Sequence, residues 1–295
     1  MDKLKTQHRK RFGIQAIWTL VANANFTGFL DGKLYKGPLK QFCVPGLNCY
    51  SCPGALGSCP IGAMQALAGS PDYALSLLVL GFLMVVGGLG GRLVCGFFCP
   101  FGWFQDLLHR IPFQKKFSTR RLHPLTWLKY GVLVVFLLPN LMVNVLGMGD
   151  PTFCKYLCPQ GILEGALPLA AVSENTRAAL GALFQWKFAL LLAVVLLSVM
   201  VSRPFCKYLC PLGAIYALFN KLSLYRLRFL PEECVRCGKC VSICPMDCDP
   251  TRDPNSPECI RCGECVAVCP TRALQKPKIG AGIPDKTAPY KGVEL

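Results

Sequence analysis

Histidine is scarce in this sequence, which has only three, and no Cys-x2-Cys-His segment occurs. The second absence excludes covalently attached haem of the c type. No histidine, carboxylate and nucleophile fall into a constellation for acid–base or covalent catalysis, and His8, His109 and His123 lie in basic stretches where a solvated imidazole is expected. Acidic residues are also few, 16 against 32 Lys and Arg, which leaves a net charge of +16. Such a balance often points to nucleic acid. Here charged residues make up only 16% of the chain and hydrophobic ones 53%, with a mean hydropathy of +0.40. A chain this apolar is expected in a membrane, where basic surplus collects in cytoplasmic loops, so no nucleic-acid partner is expected. The N-terminal apolar stretch lacks a small-x-small cleavage site and reads as a retained helix.

Cysteine, by contrast, is plentiful at nineteen residues. Two stretches read Cys234-x2-Cys237-x2-Cys240-x3-Cys244-Pro245 and Cys259-x2-Cys262-x2-Cys265-x3-Cys269-Pro270. This is the bacterial ferredoxin run, in which the fourth cysteine of each run ligates the other cluster. The spacing assigns Cys234, Cys237, Cys240 and Cys269 to one [4Fe–4S] cluster, and Cys259, Cys262, Cys265 and Cys244 to a second. Zinc favours wider gaps between ligand pairs.

Residues 74–94, 127–147 and 183–203 are long enough to span a bilayer as helices, and 13–30 is a weaker fourth candidate. Gln15, Thr19, Asn23 and Asn25 interrupt the 13–30 run, the first in chain order, at helical spacing. They suit polar contact with neighbouring helices, or a quinone headgroup. Lys and Arg concentrate before the first run, after the second and after the fourth, which puts both termini in the cytoplasm.

The remaining cysteines form a repeat. Cys-Pro-x-Gly occurs at Cys59, Cys99, Cys158 and Cys210, and three copies carry a second cysteine four residues earlier, Cys95, Cys154 and Cys206. In the first copy Ala55 holds that place, so Cys52 or Cys49 must substitute. The unit of cysteine pair, membrane helix and cysteine pair therefore recurs in parallel, which implies a pseudo-twofold axis along the membrane normal. It predicts that Cys95, Cys99, Cys206 and Cys210 meet on the cytoplasmic side. Cys52, Cys59, Cys154 and Cys158 would meet on the outer side. Each set has enough thiolates for one [4Fe–4S] cluster, although disulfides are a rival for the outer cysteines in an oxidising compartment. Proline suits the first turn of a helix, and glycine allows close approach to a cluster. Arg92 and Arg203 precede Cys95 and Cys206 by three residues; they would either bind near the cofactor and balance its charge or anchor the helix ends by snorkelling. Cys43, Cys49 and Cys248 are left over.

The CGFFCPFG stretch at 95–102, the CKYLCP stretches at 154–159 and 206–211, and the double ferredoxin run resemble the NapH-type polyferredoxin membrane proteins, quinol dehydrogenase subunits with NosR-type and CcoG/RdxA-type membrane cores as relatives. The resemblance covers about residues 10–275. It implies an α-helical membrane protein with four transmembrane helices in an internal parallel repeat, plus a small C-terminal α+β two-cluster ferredoxin domain. The expected divisions are 1–228, 229–275 and a flexible tail, 276–295. The expected setting is the bacterial inner membrane, as a multi-pass electron-transfer subunit of a larger redox complex. Its cofactors would be [4Fe–4S] clusters, two in the ferredoxin domain and up to two in the membrane, with quinone as a further candidate. Its partners would be other subunits and an extracytoplasmic reductase or electron carrier. A reductase for oxidase metal-centre assembly and a redox-sensing regulator are the alternatives. One difficulty follows from placing clusters at opposite faces: a bilayer core is about 30 Å thick.

Overall fold

The structure, a computed structural model, describes residues 2–67, 73–113, 116–144, 151–178 and 180–276. Most of the tail expected at 276–295 lies outside these residues.

Four long helices, Asp2–Ala22, Tyr73–Gly90, Leu128–Asn144 and Ala182–Met200, organise the chain. At 1.5 Å rise per residue they measure about 25–32 Å. Among the described residues Ala182–Met200 alone is both long and apolar enough to cross a membrane by composition. The outward faces of these helices are nevertheless apolar: Leu77, Val85, Val135 and Leu196 are each more than half exposed. Soluble monomers rarely leave so continuous an apolar surface uncovered.

The helix expected at 13–30 is displaced. It starts at Asp2 and stops at Ala22, and a separate turn of helix follows over Phe26–Asp31. The break comes from asparagine side chains that compete with the helical backbone. Asn23 Nδ2 donates to Thr19 O and to Asn48 Oδ1, both at 3.1 Å, and Asn25 Nδ2 donates to Pro53 O at 2.8 Å. Gln15 Nε2 donates to Asp106 at 3.4 Å. The polar face of the first helix is thus occupied by protein groups. The second run ends early as well. Gly91 turns the chain with φ +54°, and Asn220 Oδ1 accepts from Arg92 N at 2.8 Å, so the helix stops at Gly90 and a short one begins at Leu93.

Short helices start at each Cys-Pro. Pro60–Leu67, Pro100–His109 and Pro211–Phe219 are α-helical, whereas the third copy winds more widely over Gly161–Ala166 before Leu167–Val172. Proline stands in the first turn, where its missing N–H costs nothing. Pro100–His109 packs on Ala182–Met200, and Pro211–Phe219 packs on Tyr73–Gly90 and Leu128–Asn144. Each inner short helix therefore leans on a long helix of the opposite repeat, as a twofold arrangement requires.

The C-terminal part carries the antiparallel pair Arg228–Phe229 and Leu274–Gln275 and two short helices, Lys239–Ser242 and Glu264–Val268. Its two halves repeat the same backbone: Arg236 and Arg261, Gly238 and Gly263, and Asp247 and Arg272 all have positive φ. Buried ion pairs join it to the helices. Arg11 Nη1 donates to Glu264 Oε1 at 2.6 Å, Arg92 Nη1 to Glu258 Oε2 at 2.7 Å, and Lys207 Nζ to Asp247 Oδ2 at 2.8 Å. Lys129 also donates to Glu258. Burial alone would raise the Glu258 and Asp247 carboxyls, but these cations hold both below their ordinary values.

Removing one partner of a buried pair leaves uncompensated charge, at a cost of about 3–5 kcal/mol. Glu258→Ala strands Arg92 and Lys129 together. Hydrogen exchange in denaturant should show the docked C-terminal part destabilised by about that amount; a loss below about 1 kcal/mol would contradict this role for Glu258.

Candidate iron–sulfur centres

The cysteines gather in four places. Cys244 lines one cavity with Cys259, Cys262 and Cys265, and Cys234, Cys237, Cys240 and Cys269 line another. Cys248 N donates to Cys244 Sγ at 3.3 Å, so the spare thiol also sits beside the first of these. Burial pushes the Cys259 thiol up to about 11 and Cys262 well above its ordinary value. Such thiols ionise when a cation binds them directly, which suits a metal cluster.

Cys95, Cys99, Cys206 and Cys210 are buried side by side within electrostatic reach of one another. Cys99 and Cys210 each cap a short helix, and their Sγ atoms accept from Gly102 N and Gly213 N, both at 3.4 Å. The same contact joins Cys59 to Gly62 and Cys158 to Gly161. Every copy of Cys-Pro-x-Gly thus turns its glycine N–H back on its own sulfur. Gln105 Nε2 adds a bond to Cys206 Sγ at 3.1 Å.

Arg92 and Arg203 are fully buried, so neither snorkels. Each crosses to the opposite repeat. Arg92 Nη2 donates to Cys206 O at 3.1 Å, and Arg203 Nη1 donates to Cys95 O. A Cβ at Gly213 would stand 3.2 Å from Arg92 Nη2, and one at Gly102 would stand 3.2 Å from Arg203 Nη1. The motif glycines therefore serve two purposes, an amide for the sulfur and room for the other repeat's guanidinium. Arg203 Nε is bonded to Asp106 Oδ1 at 2.7 Å, and Asp106 Oδ2 accepts from Arg11 at 3.0 Å.

The outer set differs from expectation. Cys59, Cys154 and Cys158 line a cavity of about 420 Å³, and the fourth cysteine on its wall is Cys49, not Cys52. Cys52 is turned away, with Sγ 3.6 Å from Asn23 Oδ1, because a tight turn carries Cys52 N onto Cys49 O at 3.1 Å. Glu164 Oε2 accepts from Cys49 N at 3.0 Å and Lys187 Nζ donates to Cys154 O at 2.9 Å, and Lys155 also stands in the cavity wall. All nineteen cysteines are free thiols. Among the described residues no three His, Cys, Asp or Glu side chains close on a single metal ion. A four-iron cage asks for a wider set, since each thiolate takes a different iron.

The inner and outer sets are neighbours. The loop at Pro45–Cys49 dips between them. A Cβ at Gly46 would overlap Phe98 O and Cys99 Cα, while Leu47, Asn48 and Cys49 line the outer cavity. Tyr216 Oη holds the loop there by donating to Pro45 O at 2.9 Å. Three residue steps of extended chain reach at most about 11 Å. On the other side, a Cβ at Gly96 would overlap Ile260 O, between Cys259 and Cys262. One continuous core contains Cys59 and Cys158, then Cys95, Cys99 and Cys210, then Cys262.

Sequence reasoning left Cys49 and Cys52 as alternatives, and it missed the Pro45–Cys49 loop and the roles of Gln105, Asp106, Glu164 and Glu258. Position alone could have singled out Gln105: it stands where the fourth copy has Tyr216, and the two bond Cys206 Sγ and Pro45 O respectively. His109, expected in solvent, is half-buried with Nδ1 at 3.3 Å from Ser198 O.

Comparison with known proteins finds iron–sulfur domains along the chain. Two families, both described as 4Fe-4S binding domain, match the chain, one at residues 73–120, 131–167 and 183–229, the other at 227–248 and 255–275. The three matches of the first enclose the three copies that have Cys-x3-Cys-Pro. The methylamine utilization ferredoxin-type protein MauN of Paracoccus denitrificans is 31% identical over 222 residues, covering 71% of this chain and 70% of that one. An uncharacterised protein of Methanocaldococcus jannaschii is 28% identical, covering 61% and 68%. The ferredoxin-type protein NapH of Haemophilus influenzae is 26% identical, covering 63% and 59%. No solved structure matches.

The exchange of Cys52 for Cys49 can be checked by iron analysis. Four [4Fe–4S] clusters give about sixteen irons per chain. Cys49→Ser should bring this to about twelve, and Cys52→Ser should leave it near sixteen. The reverse pattern would restore Cys52 to the outer set.

Proposed function

Since the chain belongs to the NapH- and MauN-type ferredoxin family, we propose that it is the iron–sulfur electron-transfer subunit of a membrane redox complex. Its donor would be the quinone pool or a cytoplasmic carrier, and its acceptor an extracytoplasmic redox partner. Cys234, Cys237, Cys240 and Cys269 would hold the distal cluster, and Cys244, Cys259, Cys262 and Cys265 the next. Cys95, Cys99, Cys206 and Cys210 would hold an inner membrane cluster. Cys49, Cys59, Cys154 and Cys158 would hold an outer one. A [4Fe–4S] cluster supplies a one-electron couple at its site.

The observation that carries this reading is adjacency. Ile260 touches the Gly96 turn, and Gly46 touches the same Cys95–Cys99 segment from the other side. The chain places its own backbone, a few residues thick, between one site and the next. Arg92 and Arg203 set positive charge against the inner site without a route to solvent. In the membrane orientation read from Lys and Arg, both termini and the C-terminal part are cytoplasmic, and the Cys49 cavity is turned to the other side. The four long helices would cross the bilayer, the first only through its apolar half. Residues 1–228 then form the membrane domain and 229–275 the ferredoxin domain. Among the described residues neither histidine nor methionine lines the outer cavity, so a copper-delivery reading gains no support there.

Sealed vesicles carrying the full chain test this. With reductant on the cytoplasmic side and an impermeant acceptor outside, the joint replacement C99S and C210S should reduce electron flux to that of empty vesicles. It should remove about four irons and leave both ferredoxin-domain clusters reducible. Undiminished flux would overturn the proposed route.

A further inference from the structure

The far end of the row of sites opens on a basic, partly apolar face. The N-terminal helix runs past the apolar bundle and lies along the C-terminal part. Gln7 Nε2 donates to Cys262 O at 2.6 Å, and Lys276 Nζ donates to Gln7 Oε1 at 3.2 Å. Between helix and ferredoxin fold lies a cleft of about 630 Å³, with Lys3, Lys10, Arg272 and Lys276 at its rim and Cys269 in its wall. All four cations are exposed, and none of them forms an ion pair among the described residues. Beside it, Cys237 is exposed, next to Val235 at 62% exposure, with Arg236 and Lys239 flanking. Among the described residues Asp2, Glu232 and Glu233 are the exposed acidic residues of this end, while Asp249 lies within electrostatic reach of Cys240 and Glu264 is buried against Arg11. Every other cysteine of the four sites is at least partly buried.

We propose that this face docks a small, soluble, acidic one-electron carrier protein on the cytoplasmic side. The inference rests on the electron-transfer reading above and chooses between its two donors. Three features on one face support it. A cluster-ligating thiol reaches the surface, a small apolar patch adjoins it, and a basic rim surrounds both. Charge of one sign around such a patch steers an oppositely charged partner and fixes its approach. A purely lipid-binding face would need the cations but would have no use for an exposed Cys237. In the exchange, one electron leaves the carrier's centre as the distal site gains one, and no proton or bond is transferred.

Binding, measured without electron flow, keeps this inference separate from the larger reading. The probe is an oxidised acidic plant-type ferredoxin, titrated against the full holoprotein in discs of neutral lipid. Dithionite reduction of the same samples reports independently whether the clusters are present and reducible. The expected result is an affinity that falls about tenfold or more between 50 and 200 mM salt, as a surface held by several charge pairs should. The combined replacement K3Q, K10Q, R272Q and K276Q should weaken binding about tenfold with iron content unchanged. A carrier of equal size but basic charge should not bind. Salt-independent binding, equal binding of the basic carrier, or an unaltered affinity in the variant would overturn the proposal. So would a variant that loses its hold on anionic vesicles while its affinity for ferredoxin is unaltered, since the face would then be a lipid anchor.

Discussion

Charge buried in an apolar bundle must be matched where it lies, and the rest of this structure follows from that. Thiolates that hold iron–sulfur clusters are anionic, and burial alone would keep them protonated. The chain answers with a glycine N–H on each motif sulfur and with two arginines exchanged between the repeats. Those arginines bring a cost of their own. Asp106 and Glu258 meet it, and Glu258 belongs to the ferredoxin part. The balance around the inner site is therefore complete only when the C-terminal part is docked. Docking and cofactor environment are one electrostatic unit rather than two modules joined by a linker.

The same packing answers the problem of distance. Clusters at the two faces of a bilayer would be about 30 Å apart. The Pro45–Cys49 loop lies between the inner and outer sets, with Gly46 against the Cys99 segment and Leu47 to Cys49 on the outer cavity. Gly46 is there because a side chain would collide with the Cys99 segment, and Gly96 is there because one would collide with Ile260. Two glycines outside the repeated motif thus mark the junctions between successive sites.

The local chemistry was legible in the sequence, and its assembly was less so. The crossed cavities of Cys244 and Cys269 follow from spacing, because each short run cannot close a cage alone. Proline in the first turn and glycine turned to the sulfur follow from backbone rules at four positions. The choice between Cys49 and Cys52 stayed open in the sequence, since it depends on a tight turn that brings Cys52 N onto Cys49 O and Cys52 Sγ beside Asn23, far away in the chain. Arg92 and Arg203 stood open between anchoring and charge balance, because burial across a twofold interface leaves no trace in local sequence. The break after Ala22 was underread: asparagines treated as a polar helix face in fact end the helix. Carboxylates such as Glu164 and Glu258 carry no motif; they are defined only by the cations and amides that fold around them.

The separation between the inner and outer Cys-Pro-x-Gly sites is the decisive quantity. Pulsed electron paramagnetic resonance on the fully reduced holoprotein reads it, with C234S and C259S used to simplify the ferredoxin signals. A loop of three residue steps between the sets predicts strong magnetic coupling, at a separation of about 10–15 Å. Two uncoupled signals, as sites about 30 Å apart at opposite bilayer faces would give, would contradict it.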